Sequence, residues 1–455
     1  MVNRQPSRAQ EARELLNLAG PIIGAQLAFM GMGVADTLMA GRLGAQDLAA
    51  VAVGANIWMV AFVFFMGVCL AISPMVAQRL GARAAPEQIA AMLQRALVFG
   101  ALFGLAWWLA LSIVPALFIH ELGLRPETAE LALRYLRAAA WGGPAFCVGF
   151  VLRYAMEGLG SSRPVLITGL LGLVVNVIGD YLLMFGVGPF PDLGAEGCGY
   201  ASAFAGLVMA LSFAWQFAHR SDLRVFQPWR AWQAANEKVI SEMLRLGLPI
   251  ALIWLAEVGL FAGVGLLMAG FGDAPVAAHQ IAINVAAVAF MVPMGLGLAT
   301  TARVGRFAGA GDWRRVQLSG WLAVTMSMGF AACSALLMWL APAWIVGLYT
   351  DDQRVLELGA HFLLWAAVFQ LFDGTQATAS GALRGLKDTR MPMFITMLAY
   401  WGIGLPLGAY AAFSMGVGPL GLWWGLLAGL LCASLGLNLR WWRATRRTPA
   451  VSISA

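Results

Sequence analysis

About twelve stretches of this chain are each long and apolar enough to cross a lipid bilayer, and little sequence is left between them. Apolar runs between charged or Pro/Gly-rich breaks fall near residues 15–40, 47–76, 93–118, 131–155, 164–187, 197–218, 241–270, 276–302, 317–341, 357–382, 392–413 and 419–440. A helical span needs about 20 such residues. Only 11% of the chain is charged and 60% is hydrophobic, whereas a soluble domain carries charge on about a quarter of its residues. The expected fold class is an all-α polytopic membrane protein with about twelve transmembrane helices.

Lysine and arginine set the orientation. With the N-terminus inside, 24 of the 29 basic residues fall on the cytoplasmic side, from Arg4, Arg8 and Arg13 through Arg79, Arg153, Arg245, Arg303 and Arg384 to Arg447. Only Arg42, Arg125, Arg134, Arg137 and Arg354 fall outside. This skew predicts cytoplasmic termini and an even number of spans. The net charge of +6 is thus a topology signal, and no nucleic-acid partner is expected. The polar N-terminal segment leads into a full-length span and lacks the pattern of a cleaved signal peptide. Cys69, Cys147, Cys198, Cys333 and Cys432 are scattered, all but Cys198 deep in apolar runs. Neither a disulfide framework nor a zinc motif is indicated.

The chain repeats itself at a nearly constant offset of 228. LAGPIIGAQ at Pro21 answers LGLPIALIW at Pro249, Asn56 answers Asn284, MGVCLAISPMVAQRLGA from Met66 answers MGLGLATTARVGRFAGA from Met294, and Pro164 answers Pro392. A fixed register over several spans indicates duplication. Each half holds an even number of spans, so both enter the membrane in the same direction. That gives two six-helix lobes related by a parallel pseudo-two-fold repeat, one of the transporter architectures. The expected division is an N-lobe over 1–220, a cytoplasmic linker over 221–240 and a C-lobe with a basic tail over 241–455.

Four carboxylates lie inside these spans: Asp36, Asp180, Glu257 and Asp373. An ionised acid in hydrocarbon costs at least about 2.5–3.5 kcal/mol, so such residues mark function by default. The repeat does not duplicate them, since Val264 answers Asp36 and Phe29 answers Glu257. Asn176 and Asp180 are four apart on the fifth span and share a face. If Asp36 folds toward that face, two carboxylates and an amide converge, with the Ser202 hydroxyl available from the sixth span. Two close carboxylates repel when both are ionised. Such a site can hold a proton near neutral pH, or can offer several oxygens to Na⁺, with Asp36, Asn176 and Asp180 as the metal ligands in that case. Glu257 and Asp373 form a candidate second acidic site. The plainer alternative for any one acid is a local hydrogen bond between helices.

The order of Asp36 in MGVADTLMAGRLG, Asn176 and Asp180 in span five, Glu257 in span seven and Asp373 in span ten resembles the MATE multidrug efflux family, NorM type. The resemblance runs from Pro21 to about span twelve and includes the repeat. It implies an antiporter of a bacterial inner (plasma) membrane that exports bulky organic cations against inward H⁺ or Na⁺. It also implies alternating access between two lobes, a functional monomer, and no cofactor beyond the coupling ion. By position, Asp36, Asn176 and Asp180 match the family's N-lobe cation or proton site, and Glu257 and Asp373 its C-lobe acids. Ser202 stands where a threonine is common. Asp351 and Asp352 resemble acids implicated in some relatives, although a solvated loop is the plainer reading.

Phe64, Phe65, Met66, Phe290, Met291 and Met294, on the repeat-matched spans two and eight, are candidates to line a substrate cavity with adaptable and cation-attracting surfaces. Several motifs are set aside. GVGPLG at Gly416–Gly421 lacks a preceding strand and reads as an outer loop. GLLAG at Gly425–Gly429 reads as intramolecular helix packing. His120, His219, His279 and His361 have no ligand spacing, and His279 is expected to pack. Pro21, Pro74, Pro144, Pro249 and Pro293 are candidate kinks. A flippase for lipid-linked oligosaccharides is the alternative transport reading; it calls for basic residues around a central pyrophosphate, whereas the intramembrane charges here are acidic. An enzyme is not expected, because no HExxH, catalytic triad or haem signature is present.

Overall fold

The structure, a computed structural model, describes residues 7–230 and 238–446. Arg4, Arg447 and the basic tail, and the centre of the expected linker at 231–237, lie outside the described residues. Every regular element among the described residues is helical. Eleven helices are long and apolar enough to span a membrane: Arg8–Leu43, Ala45–Gly81, Pro86–Leu117, Arg163–Met184, Ala195–His219, Lys238–Phe271, Asp273–Gly309, Trp313–Leu340, Gln353–Gly385, Arg390–Ser414 and Pro419–Arg446. The fourth span is broken. Pro126–Ala140 and Gly143–Leu159 meet at 48°, and counting the pair as one span gives twelve.

The break has a local cause. The segment Trp141-Gly142-Gly143-Pro144 places a residue without an N–H at the start of the second helix, where the hydrogen-bond ladder cannot run through. Gly143 also lets the third span approach, since a Cβ there would sit 2.7 Å from the Gly104 carbonyl oxygen. Of the five candidate kink prolines, Pro144 therefore marks a bend, while Pro21, Pro249 and Pro293 lie inside unbroken helices. The eleventh span carries two stretches of wider π-helical turns, Leu398–Gly404 and Tyr410–Ser414, on either side of Leu405–Ala409. Such turns absorb irregular hydrogen bonding near a proline, here Pro406.

The chain forms two compact units, one of Gly24–Ala251 and one of Leu252–Ala455 with the residues up to Ile23. The seams therefore fall inside the first and seventh spans, a little way past the lobe boundaries that the sequence suggests. Ion pairs anchor both helix starts. Arg303 grips Glu11 (2.5 Å) and Glu14 (2.7 Å) at the beginning of the first span, and Arg79 holds Glu242 (3.2 Å) at the beginning of the seventh. Glu14 and Glu242 are 228 apart, the same position of the repeat.

Each unit has its own core. In Gly24–Ala251, Trp58, Phe62, Trp107, Phe146 and Phe150 form one aromatic cluster, with Phe62 stacked on Trp58 at 4.6 Å and edge-on to Phe150 at 5.3 Å. In the other unit, Phe362 and Phe369 pack on Trp423, and Val264, Leu426 and Leu430 close the same core. Arg153, assigned to the cytoplasmic side by charge counting, is a buried helical residue. It pairs with Glu157 at 3.0 Å, reaches Gln26, and lies over the Phe29 ring. A buried guanidinium needs such partners.

Candidate functional site

The fifth and sixth spans pack closely enough to present their polar faces to each other. A Cβ on Gly179 would stand 3.0 Å from the Ala201 Cβ, and one on Gly197 would stand 2.5 Å from the Leu183 carbonyl oxygen. Small residues are what permit this approach. Farther along the pair, Gln216 donates to Thr168 Oγ1 at 2.8 Å, and Thr168 and Ser212 share a hydrogen bond of 2.9 Å. The registration puts Asn176 and Asp180 opposite Cys198 and Ser202, with Asn176 Nδ2 donating to Ser202 Oγ at 3.5 Å.

Asp36 of the first span joins this face. One carboxylate oxygen each from Asp36 and Asp180 and the Cys198 Sγ lie within 4.8 Å of one another. Asp180 is 0% and Asn176 1% exposed. Both Asp180 oxygens, one Asp36 oxygen and the Asn176 carbonyl oxygen are buried without a hydrogen-bond donor of standard geometry. Buried polar atoms are normally satisfied, and two ionised carboxylates this close in an apolar span require a cation or a proton between them. The donors are two carboxylates, an amide oxygen and a hydroxyl, suited to a hard monovalent ion or to a shared proton. The structure thus brings together Asp36, Asn176, Asp180 and Ser202, all within one unit.

Two neighbours escaped the sequence reading. Cys198 sits one helical turn before Ser202, so the same spacing of four that paired Asn176 with Asp180 pointed to it. Tyr135, buried in the broken fourth span, lies within electrostatic reach of Asp36, Asp180 and Cys198. No signal in its own sequence neighbourhood marks it.

The second pair of acids lies in the other unit. Asp373 is 4% exposed and has one carboxylate oxygen without a donor, while Glu257 is half-buried within electrostatic reach of it. Tyr400, on the π-helical stretch, faces both acids, and its hydroxyl accepts from Gln376. Around them, Thr375 bonds Ser434 at 2.8 Å and Ser327 donates to the Gly374 carbonyl at 2.8 Å. This is a knitted polar seam between helices with two acids in it, and no third His, Cys, Asp or Glu joins them at ligand distance among the described residues.

Other predicted positions resolve plainly. Phe65 and Met66 are buried, Phe65 stacking on Trp107 at 5.2 Å, whereas Phe64, Phe290, Met291 and Met294 are half-buried. Asp352 caps the tenth span, accepting from the Arg354 and Val355 amides at 2.9 and 3.2 Å. Asp47, which the sequence reading did not single out, accepts from the Ala195 amide at 3.0 Å at the start of the sixth. Gly416–Gly418 form a loop with left-handed glycines, and His279 packs edge-on to Trp423.

Twelve spans, duplicated halves and an unpaired acidic cluster inside one half define a polytopic membrane transporter. A model of the MatE family matches the chain twice, over residues 21–182 and 249–410. The two matches start 228 residues apart, the offset of the internal repeat. The chain is 38% identical over 433 residues to the probable multidrug resistance protein NorM of Acinetobacter baylyi, covering 95% of this chain and 96% of that protein. It is 39% identical over 449 residues to the multidrug resistance protein PmpM of Pseudomonas aeruginosa, covering 96% and 92%. The fold is similar to that of the eukaryotic MATE transporter AtDTX14, with a TM-score of 0.86 at 18% identity, covering 97% and 98% of the two chains. The chain belongs to the MatE family and is a multi-pass transporter, not an enzyme.

Proposed function

We propose that this chain is a multidrug antiporter of the bacterial inner membrane that exports bulky organic cations in exchange for H⁺ or Na⁺. The observation that carries the reading is the cluster of Asp36, Asn176 and Asp180 inside apolar spans, where both Asp180 oxygens, one Asp36 oxygen and the Asn176 carbonyl oxygen are buried without a donor of standard geometry. It supports a binding site for a small cation, and relatives named multidrug resistance proteins support the cargo class. In the proposed cycle the outward-facing acids take up the ion as cargo leaves. Ion release to the cytoplasm restores the negative charge that attracts the next organic cation. Alternating access between the two lobes of a functional monomer links the two steps, and the basic-residue skew supports cytoplasmic termini.

One monovalent cation moving down 100 mV releases about 2.3 kcal/mol, and a cationic cargo offsets that charge. Coupling must then come from competition for the acids and from the ion's own concentration gradient. A lipid-oligosaccharide flippase is less well supported. The buried basic side chains among the described residues are Arg153 and Arg384, and Arg153 is held by Glu157 and Gln26. Reconstituted vesicles loaded with a fluorescent organic cation test the proposal, with Na⁺ and pH gradients imposed separately. Accelerated efflux under at least one gradient is expected; no response to either would overturn it.

A further inference from the structure

The cation cluster contains a group that coupling to H⁺ or Na⁺ does not call for. Cys198 projects its sulfur into the space that Asp36 and Asp180 share, and the three ligand atoms lie within 4.8 Å of one another. Among the described residues this is the one place where three such donors converge. The remaining cysteines are arranged differently: Cys69 leans on the Cys147 carbonyl at 3.9 Å, and Cys333 and Cys432 lie apart from any such group.

The second indication is the state of the oxygens. Asp180 is fully buried with both carboxylate oxygens lacking a donor, and Asn176 presents a buried carbonyl oxygen in the same condition. These atoms face one another and the Cys198 sulfur, and no donor of standard geometry satisfies them. Hard ions such as Na⁺, Mg²⁺ or Ca²⁺ use the oxygens and gain little from sulfur, whereas thiolate ligands select softer ions.

We infer that Asp36, Asp180 and Cys198 form a site for a thiophilic divalent cation, of the Zn²⁺ or Cd²⁺ class, which occupies the coupling site and blocks it. Bonds of about 2.0–2.3 Å to such an ion set tetrahedral ligands roughly 3.3–3.8 Å apart. The three atoms, already within 4.8 Å of one another, therefore need to close by no more than about 1–1.5 Å on binding. The thiol proton is released to the buffer as the metal–sulfur bond forms. Two carboxylates and a thiolate then offset the divalent charge inside the membrane, and Asn176 or Ser202 completes the shell. The inhibitory consequence rests on the coupling role proposed above; the binding itself does not.

The test uses the full chain in detergent micelles, with Cys69 and Cys147 replaced by Ala and Cys333 and Cys432 by Ser, so that Cys198 is the one thiol left. Cd²⁺ is titrated and the sulfur-to-Cd²⁺ charge-transfer absorption is recorded. One equivalent should saturate the band, and Mg²⁺ in excess should not displace it. Cys198→Ser should abolish the band and weaken binding by about tenfold or more, and Asp180→Asn should weaken binding while retaining the band. Thermal melts of each variant confirm folding, and Cys198→Ala gives the same readout should the serine variant melt early. A missing band in the parent protein, or one that survives loss of Cys198, overturns the site.

In vesicles, Cd²⁺ should slow efflux, and raising the driving ion should shift its midpoint upward. Cd²⁺ that binds but leaves efflux untouched overturns the block. Efflux that ignores both ion gradients while the band still titrates defeats the coupling proposal and leaves the metal site standing.

Discussion

The two halves of this molecule are copies in sequence register, and their equivalent positions do opposite work. In the Gly24–Ala251 unit, Asn176 of the fifth span reaches Ser202, and Asp180 gathers with Asp36 and Cys198. At an offset of 228 Asn176 and Asp180 become Gly404 and Gly408 of the eleventh span. There the helix collapses onto its neighbour: a Cβ on Gly408 would meet the Gly425 Cα at 3.2 Å and the Leu422 carbonyl at 3.3 Å. The place equivalent to Asp36 is Val264, 1% exposed in the core. Conversely, Glu257 corresponds to Phe29, which lies under Arg153 and near Phe62 in the first unit. The scaffold is shared, and in the second copy close backbone packing occupies the positions that carry the amide and carboxylate in the first. The GLLAG motif serves this closure, since Gly425 and Gly429 are where the eleventh and twelfth spans touch backbone to backbone.

The comparison can be broken most severely by transplanting residues. Gly408→Asp recreates the identity of Asp180 in the second unit, but the position has no room. It should cost at least about 3 kcal/mol through overpacking and an unsatisfied buried carboxyl, read as an early thermal melt in detergent. A stable variant would show that the second copy retains a latent site. Next in size, Asp180→Asn should remove the ion dependence of efflux. Coupling energies of 1–3 kcal/mol correspond to a fall of roughly 5–150-fold, checked by initial rates in vesicles. Glu257→Gln should do less, a few-fold at most in the same assay, because among the described residues no third ligating side chain joins Glu257 and Asp373, whereas Cys198 joins Asp36 and Asp180. The smallest effects should come from acids that act as caps. Asp352→Ala and Asp47→Ala each remove hydrogen bonds at a helix start and should cost about 1 kcal/mol in thermal stability. Neither should alter the ion dependence.

Much of this comparison was legible before the fold. Hydrophobic run length located the spans, and the repeat register, which involves many residues, survives local irregularity. The pair Asn176 and Asp180 was readable because a spacing of four fixes a helix face. The rest depends on information that no single helix carries. The bend at Trp141–Pro144 requires knowing that the third span presses into Gly143. Tyr135 joins the site only because the fourth span packs beside the sixth, with Gly199 against the Tyr135 carbonyl. The division of the first and seventh spans between units depends on which neighbours each part packs against, and the pairs Arg303 with Glu11 and Glu14, and Arg79 with Glu242, are not marked by any local pattern. Arg153 counts as a cytoplasmic-side charge at the end of the fourth run, yet it is buried, with Glu157 one turn later as its counter-ion.

We propose that ion coupling resides in the Asp36–Asp180 cluster of one unit and not in both acidic pairs equally. The direct test is efflux of an organic cation from reconstituted vesicles under separately imposed Na⁺ and pH gradients, for the parent chain, Asp36→Asn and Glu257→Gln. At least one gradient should accelerate parent efflux, Asp36→Asn should abolish the acceleration, and Glu257→Gln should keep most of it. Full gradient dependence in Asp36→Asn, with its loss in Glu257→Gln, would contradict the account.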